Sequence, residues 1–378
     1  MRSLTSACLA LYPKANPMKS AAALSRNYSL DAARGVLMML GAFVHASNIY
    51  SVAGDWLIRD GEGIYFFDLV FQSIFLFRMP TFFWISGFFC AMTFEHYGSG
   101  GLIRKRLPRI LVPLVVTWGT LNVAQVCFLA WFRGQDVFEA LSAGVPVYHL
   151  WFLIDLMVFI AFASLALPLL KHATSIAKKT ESLTVFPTLI ALTLVTFLIS
   201  AMTRSSGMAY EPILQLTSLF RLSKYAPFFI VGVLMYSHDG LTKTFLHVPL
   251  ITLFIALPTA LFVQKFSQDQ SIIVRETAHF VEILMAWISV TAVLGLFRDL
   301  FKNESPLTRF LSDSAYTVYL FHHILVVVVG CALIRYSFDS WLKFLIVCVT
   351  SLGFSMLVHM ALIRQSHVAR FLFNGKWV

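Results

Sequence analysis

Long apolar runs separated by short polar segments recur along the whole chain. A bilayer crossing takes about 20 apolar residues as a helix. Ten stretches reach or approach that length: 30–50, 64–94, 110–132, 148–170, 183–202, 213–236, 246–263, 277–297, 313–334 and 341–363. The pattern predicts an all-α, polytopic integral membrane protein of about ten transmembrane helices. The second run is too long for one straight crossing. It holds Arg78 followed by Pro80, which predicts a kink or break there. No repeat or long polar linker interrupts the series, so one membrane domain is expected over 27–365, between tails at 1–26 and 366–378.

The first run, LDAARGVLMMLGAFVHASNIY, carries Asp31, Arg34 and His45. Charge in hydrocarbon is costly and calls for a partner or a function. Eleven residues separate Arg34 from His45. On a helix that returns to within about 20° of the same face, about 16 Å further along. One stripe thus offers a guanidinium near one membrane face and an imidazole in the opposite half. The plainer alternative is a snorkelling arginine and an interior, hydrogen-bonded histidine.

Other polar residues lie inside apolar runs. Arg78, next to Pro80 and followed by Ser86 and Gly87, reads as an anion-binding residue in a cavity, or as one half of an interhelical ion pair. His149 and Trp151 suit an interfacial belt; Asp155 lies deeper, where an acid is rare. Arg221 and Lys224, at i and i+3, either pair with acids or receive an anion. Glu276, His279 and Glu282 share one helix but do not specify the three or four ligands of a zinc site, so no metal is expected. Glu282 fits better as the partner of a buried arginine or histidine. Tyr316, Tyr319 and His323 line one face of SAYTVYLFHH, with His322 on a neighbouring one, facing either substrate or a packed helix.

Composition supports the membrane class: 58% of the 378 residues are hydrophobic and 13% charged, with mean hydropathy +0.77. The net charge of +10 does not indicate nucleic acid, because the basic residues sit in short loops between apolar runs. Taking alternate segments, 18 Lys and Arg fall on one side and 6 on the other, which places both termini in the cytoplasm. Arg34 then lies near the cytoplasmic side and His45 in the outer half. The cytoplasmic loop GLIRKRLPRILVP groups Arg104, Lys105, Arg106 and Arg109, suited to phosphates or to anionic headgroups. Of the five cysteines, four fall in apolar runs and none forms a CxxC pair, which supports neither a disulfide framework nor a metal site. The N-terminal 20 residues, broken by Pro13 and Pro17, make a poor signal peptide.

Taken in order, LDAARG with His45 eleven positions beyond Arg34, FFWISGFF, RKRLPRILVP, HLWFL, YAPFFIVG and SAYTVYLFHH resemble the membrane acyltransferase-3 family. The resemblance covers nearly the whole chain from Arg26. It implies that Arg34 and His45 are the family's arginine-x10-histidine pair, that Arg78 and Ser86 belong to its second-span motif, and that His322 is the histidine of its tyrosine–leucine–x–histidine stretch. Ile324 departs from the family, where a proline is usual. Within the family, RMPTFFWISGFF, the pair His322–His323 and FLFNGK are most similar to the branch that succinylates osmoregulated periplasmic glucans at the inner membrane of Gram-negative bacteria.

The resemblance implies a transmembrane acyltransferase with succinyl-CoA as donor, periplasmic glucan as acceptor, lipids as surroundings and no tightly bound cofactor. Its donor phosphates would dock on Arg34 with Arg104, Arg106 or Arg109, and one continuous passage would lead the thioester to His45. With a reference pKa near 6.5, His45 is expected to act as general base on a sugar hydroxyl or to take the acyl group itself. Arg78 would hold the succinyl carboxylate or polarise the carbonyl. Ser86, Trp151, Arg221, Lys224, Glu282, Tyr319, His322 and His323 complete the expected substrate contacts, with Glu282 or Asp155 orienting His45. The alternatives are an O-acetyltransferase of another envelope glycan, or a transporter or flippase of an anionic solute. The transporter would favour an inverted repeat, and none is visible.

Overall fold

Helix α1 (Tyr28–Tyr50) begins where Asn27 caps it, accepting a hydrogen bond from the Leu30 N–H, and it carries Arg34, Gly41 and His45 along one stripe. In the computed structural model, residues 27–54, 56–61, 63–177, 184–238, 242 and 245–376 are described, apart from the side chains of 170–177. The expected tail at 1–26 and the basic positions Lys178, Lys179 and Lys243 lie outside them.

The remaining helices are α2 (Tyr65–Thr117), α3 (Val123–Arg133), α4 (Val137–Ser142), α5 (Trp151–Ala177), α6 (Val185–Ser205), α7 (Leu219–Ser237), α8 (Leu253–Gln264), α9 (Ile272–Leu300), α10 (Pro306–Ile334), α11 (Ser340–Val358) and α12 (His367–Asn374). A wide π-helical turn, Trp118–Asn122, joins α2 to α3, and another, His359–Ile363, ends α11. Among the described residues, seven helices are long and apolar enough to cross a membrane. One of them, Tyr65–Arg133, holds two crossings, and α1 with the short apolar helix Leu250–Gln264 completes the ten apolar runs. Large side chains such as Phe162, Phe186 and Phe254 are exposed on the outer surface, which suits lipid rather than water.

The expected break at Arg78–Pro80 is corrected by the structure: α2 runs through Pro80 and turns at Gly98 (φ 66°, ψ −174°). Proline's φ fits a helix, and the cost is one lost backbone bond. Gly98 adopts backbone angles that residues with a Cβ avoid. The reversal is locked by Arg106, which donates to the Phe89 carbonyl (2.8 Å) and to Thr93 Oγ1 (2.8 and 3.1 Å). In a straight helix residues 89 and 106 would stand about 25 Å apart.

Close backbone approach sets the bundle. A Cβ on Gly87 would lie 2.0 Å from the Phe229 carbonyl, and one on Gly232 would lie 2.0 Å from that of Trp84, so α2 and α7 cross without side chains between them. Gly35 meets the Leu311 backbone of α10 in the same way. Residues 213–218, placed by the sequence at the start of a helix, instead belong to a two-stranded turn, β1 (Pro212–Ile213) with β2 (Thr217–Ser218), and Ser218 caps α7.

Candidate active site

Four elements surround the polar interior: α1, α2, α10, and α5 with the 3₁₀ turn Tyr148–Leu150 that precedes it. At the end that holds Arg34 they enclose an inner chamber of about 250 Å³. Arg34, Ser86, Arg106, Arg109 and Tyr316 line it, with Phe82 and Phe152 at its depth. Arg34 donates to Ser312 Oγ (3.1 Å), lies 3.2 Å from Asp31 and stands over the Phe89 ring. Arg106 reaches this chamber while holding the Gly98 reversal, whereas Arg104 is exposed and does not line it.

At the opposite end α1, α10 and the start of α5 with its 3₁₀ turn, joined by the 56–57 loop and the end of α3, enclose an outer chamber of about 480 Å³. His45, Trp56, Tyr148, His149, Trp151 and His323 line it, with Arg133 at its rim. His45 stacks on Trp56 (centroids 5.6 Å apart), and its ring lies 4.7 Å from that of His323. His149 stacks on His323 at 4.6 Å. Tyr148 adopts φ 45°, strained for a residue with a Cβ, and stacks on His323 at 5.3 Å. The loop carrying Trp56 is pinned where Asp68 accepts the Val52 and Ala53 N–H groups (2.9 and 3.0 Å). His323 Nδ1 pairs with Gln125 Oε1 at 2.8 Å.

Between the chambers stand Arg78, Tyr319 and His322, each at most 6% exposed. On α1, Arg34 and Met38 face the inner chamber and His45 the outer one, about 10 Å beyond Met38. The two chambers share no lining residue, so the single continuous passage expected from the sequence is corrected: a packed partition closes it. Its members are tied down. Arg78 Nε donates to the Leu37 carbonyl (2.8 Å), and Tyr319 donates to the His149 carbonyl (2.8 Å). His322 Nδ1 bonds to the Val318 carbonyl (2.8 Å), an acceptor only. That nitrogen therefore carries the proton, and in the neutral ring Nε2 keeps its lone pair. Nε2 has no hydrogen-bond partner among the described residues, and neither has His45 Nδ1 or either His149 nitrogen.

Gly41 makes the partition possible. A Cβ there would fall 2.6 Å from an Arg78 terminal nitrogen and 2.8 Å from His322 Nε2. Gly41→Ala is expected to lower turnover about a hundredfold, since displacements of about 1 Å carry that cost, while destabilising by only about 1–3 kcal/mol. Turnover and thermal melting in detergent, measured side by side, check this.

The structure brings Arg34, His45, Arg78, Ser86, Trp151, Tyr319, His322 and His323 to this axis and leaves others apart. Arg221 is paired with Asp155 (2.7 and 3.1 Å), which also accepts from Thr217 (2.6 Å), and it lies over Trp151. Lys224 lies over Phe75, and Glu282 stands 4.0 Å from His279, around a separate small pocket. Neither Glu282 nor Asp155 contacts His45. Among the described residues no group of three or more His, Cys, Asp or Glu side chains is disposed to hold a metal ion. Sequence reasoning did not place Gly41, Trp56 or Tyr148 in the site and treated His149 as an interfacial residue. Gly41 had a signal, because it falls on the Arg34–His45 stripe.

Comparison with known proteins shows the family. The Acyltransferase domain family matches residues 27–360. Glucans biosynthesis protein C of Escherichia coli O139:H28 (strain E24377A / ETEC) is 24% identical over 376 residues, covering 93% of this chain and 95% of that protein. The protein of the same name from Escherichia coli (strain K12) has the same identity and coverage. No solved structure is a significant match.

Proposed function

Because the chain belongs to the acyltransferase family matched over residues 27–360, and is a multi-pass membrane protein, we propose that it carries a succinyl group from cytosolic succinyl-CoA to a hydroxyl of a periplasmic glucan. The membrane in question is then the inner membrane of a Gram-negative cell. One observation carries the reading: two chambers lie end to end along α1, α5 and α10, cationic at one mouth and aromatic with imidazoles at the other, meeting at Arg78 and His322.

The inner chamber takes the acyl thioester, with Arg34 and Arg109 at its mouth. Arg78 argues for an anionic acyl group. It is 6% exposed, and among the described residues no carboxylate pairs with it. A buried unpaired cation is costly, and a succinyl carboxylate relieves that cost where an acetyl group cannot. The outer chamber offers the faces of Trp56, Tyr148 and Trp151 to sugar rings. Side-chain rotation of Arg78 opens the partition and lets the two substrates meet.

The step balances without an outside reagent. His45 takes the proton of the sugar hydroxyl as its oxygen attacks the thioester carbonyl. The C–O bond forms, the C–S bond breaks, and the leaving thiolate takes the proton from His45, giving the ester and free CoA.

Proteoliposomes loaded with labelled succinyl-CoA, with glucan outside, test the reading. Label is expected on the external glucan, with CoA thiol released inside. If acetyl-CoA labels glucan better, an O-acetyltransferase replaces the succinyl reading. If no acyl-CoA gives labelled glucan, the proposal fails, and movement of an intact anionic solute would mark a transporter.

A further inference from the structure

A third chamber, of about 780 Å³, lies beside the inner one. The start of α10, the π-helical turn His359–Ile363 and α12 enclose it, and Arg309, Arg364, Arg370 and Lys376 bring four cations to its walls. Glu304 and Asp313 are the acids there, and Glu304 pairs with Arg309 at 2.6 Å. The site described above uses none of these cations. By sequence they count among the 18 Lys and Arg that orient the chain.

This chamber and the inner one have three wall residues in common: Asp313, Asn374 and Lys376. Two of these sit at the end of α12, whose position is fixed. Ser366 caps the helix, and Gly375 ends it at φ 59°. A Cβ at Gly375 would lie 2.4 Å from Arg109 Cα, so the end of α12 is seated on the basic part of α2 beyond Gly98, whose Arg106 and Arg109 line the inner chamber. Arg370 donates to the Arg364 carbonyl (2.6 Å), which sets the two guanidinium-bearing segments against each other. The π-helical turn widens the backbone just before Arg364, a device common at binding sites.

Volume makes the argument. Pockets for drug-sized ligands run to about 300–1,000 Å³. The inner chamber, at about 250 Å³, is too small for a whole acyl-CoA, though it suits a thin acylated arm. The nucleotide end carries the phosphates and must lie elsewhere within reach of that arm. The adjoining chamber has the space and the charge.

Resting on the acyl-CoA reading above, we propose that this third chamber holds the phosphorylated nucleotide end of the donor, with Arg364, Arg370 and Lys376 on its phosphates, and that the α12–Gly375 rim is the edge over which the donor bends into the inner chamber. Arginine and lysine bind phosphate through charge-assisted bonds. The C-terminal segment is then part of donor recognition.

The test uses the purified full chain in neutral detergent and the double variant Arg364→Gln/Arg370→Gln. Adenosine 3′,5′-bisphosphate, which is the nucleotide end alone, is titrated by calorimetry. The native protein is expected to bind it, and the variant about tenfold or more weakly. With succinyl-CoA the variant is expected to lose about tenfold in kcat/KM through KM. With succinyl-N-acetylcysteamine, which lacks the nucleotide, native and variant are expected to agree, and that agreement also shows that the variant is folded. Equal losses on both donors, or bisphosphate binding unchanged by the substitutions, would overturn the proposal. So would loss confined to binding of phosphatidylglycerol vesicles, which would assign the chamber to lipid headgroups. If the native protein transfers no acyl group from either donor but binds the bisphosphate in an Arg364- and Arg370-dependent way, the chamber stands and the transfer reading falls.

Discussion

Replacing His45 by alanine is expected to lower acyl transfer to glucan about a thousandfold, within the range of about 10²–10⁴ that a general base contributes, while donor affinity stays at the native level. The separation in effect follows from position. His45 lines the outer chamber, whereas the residues proposed for the donor lie at the other end of α1 and beyond it. Single-turnover transfer from a preformed succinyl-CoA complex separates chemistry from binding. Because the alanine cavity opens on the outer chamber, added imidazole should restore part of the rate. A quench that leaves acyl label on His45 in the native enzyme would turn the base into a covalent carrier. A loss smaller than about tenfold would remove His45 from the chemistry and point to His322, whose Nε2 is unpartnered among the described residues and whose tautomer is fixed by Val318.

How much of this was legible in the sequence depended on the range of the interaction. The Arg34–His45 stripe was readable because the helical period alone fixes which residues share a face. The ten apolar runs were readable because a bilayer fixes their length. The partition was not, because it forms where Arg78 of α2 and His322 of α10 both reach Gly41 of α1, and no local pattern records that convergence. The Arg221–Asp155 pair, 66 residues apart, and Lys343–Asp60, 283 apart, were hidden for the same reason. The break in α2 went to Pro80 because proline is the usual helix breaker. The sequence HYGSGG carried the better signal, since only glycine tolerates the angles found at Gly98. His149 looked like an interfacial residue until the strained Tyr148 turn laid it against His323.

Arg78→Gln is expected to reverse the donor preference while making the protein more stable. The stability gain comes first from the physics of burial. An arginine at the middle of a transmembrane helix costs about 2.5–3.5 kcal/mol, and among the described residues no acid offsets it. Glutamine keeps a donor for the Leu37 carbonyl and removes the charge. Melting in detergent should therefore shift upward. Turnover should move the other way, because the succinyl carboxylate then enters a buried site with nothing to pair it, and an unpaired buried charge is penalised far more than a missing neutral contact. The expected loss in kcat/KM for succinyl-CoA is about a hundredfold or more, against less than about tenfold for acetyl-CoA. Equal losses on the two donors would place the guanidinium at the thioester carbonyl, which both share, and the anionic donor would lose its main support. A variant that is more stable and slower only with the dicarboxylic donor would show that the charge is kept in the membrane interior, against its own folding cost, for the sake of the acyl group it receives.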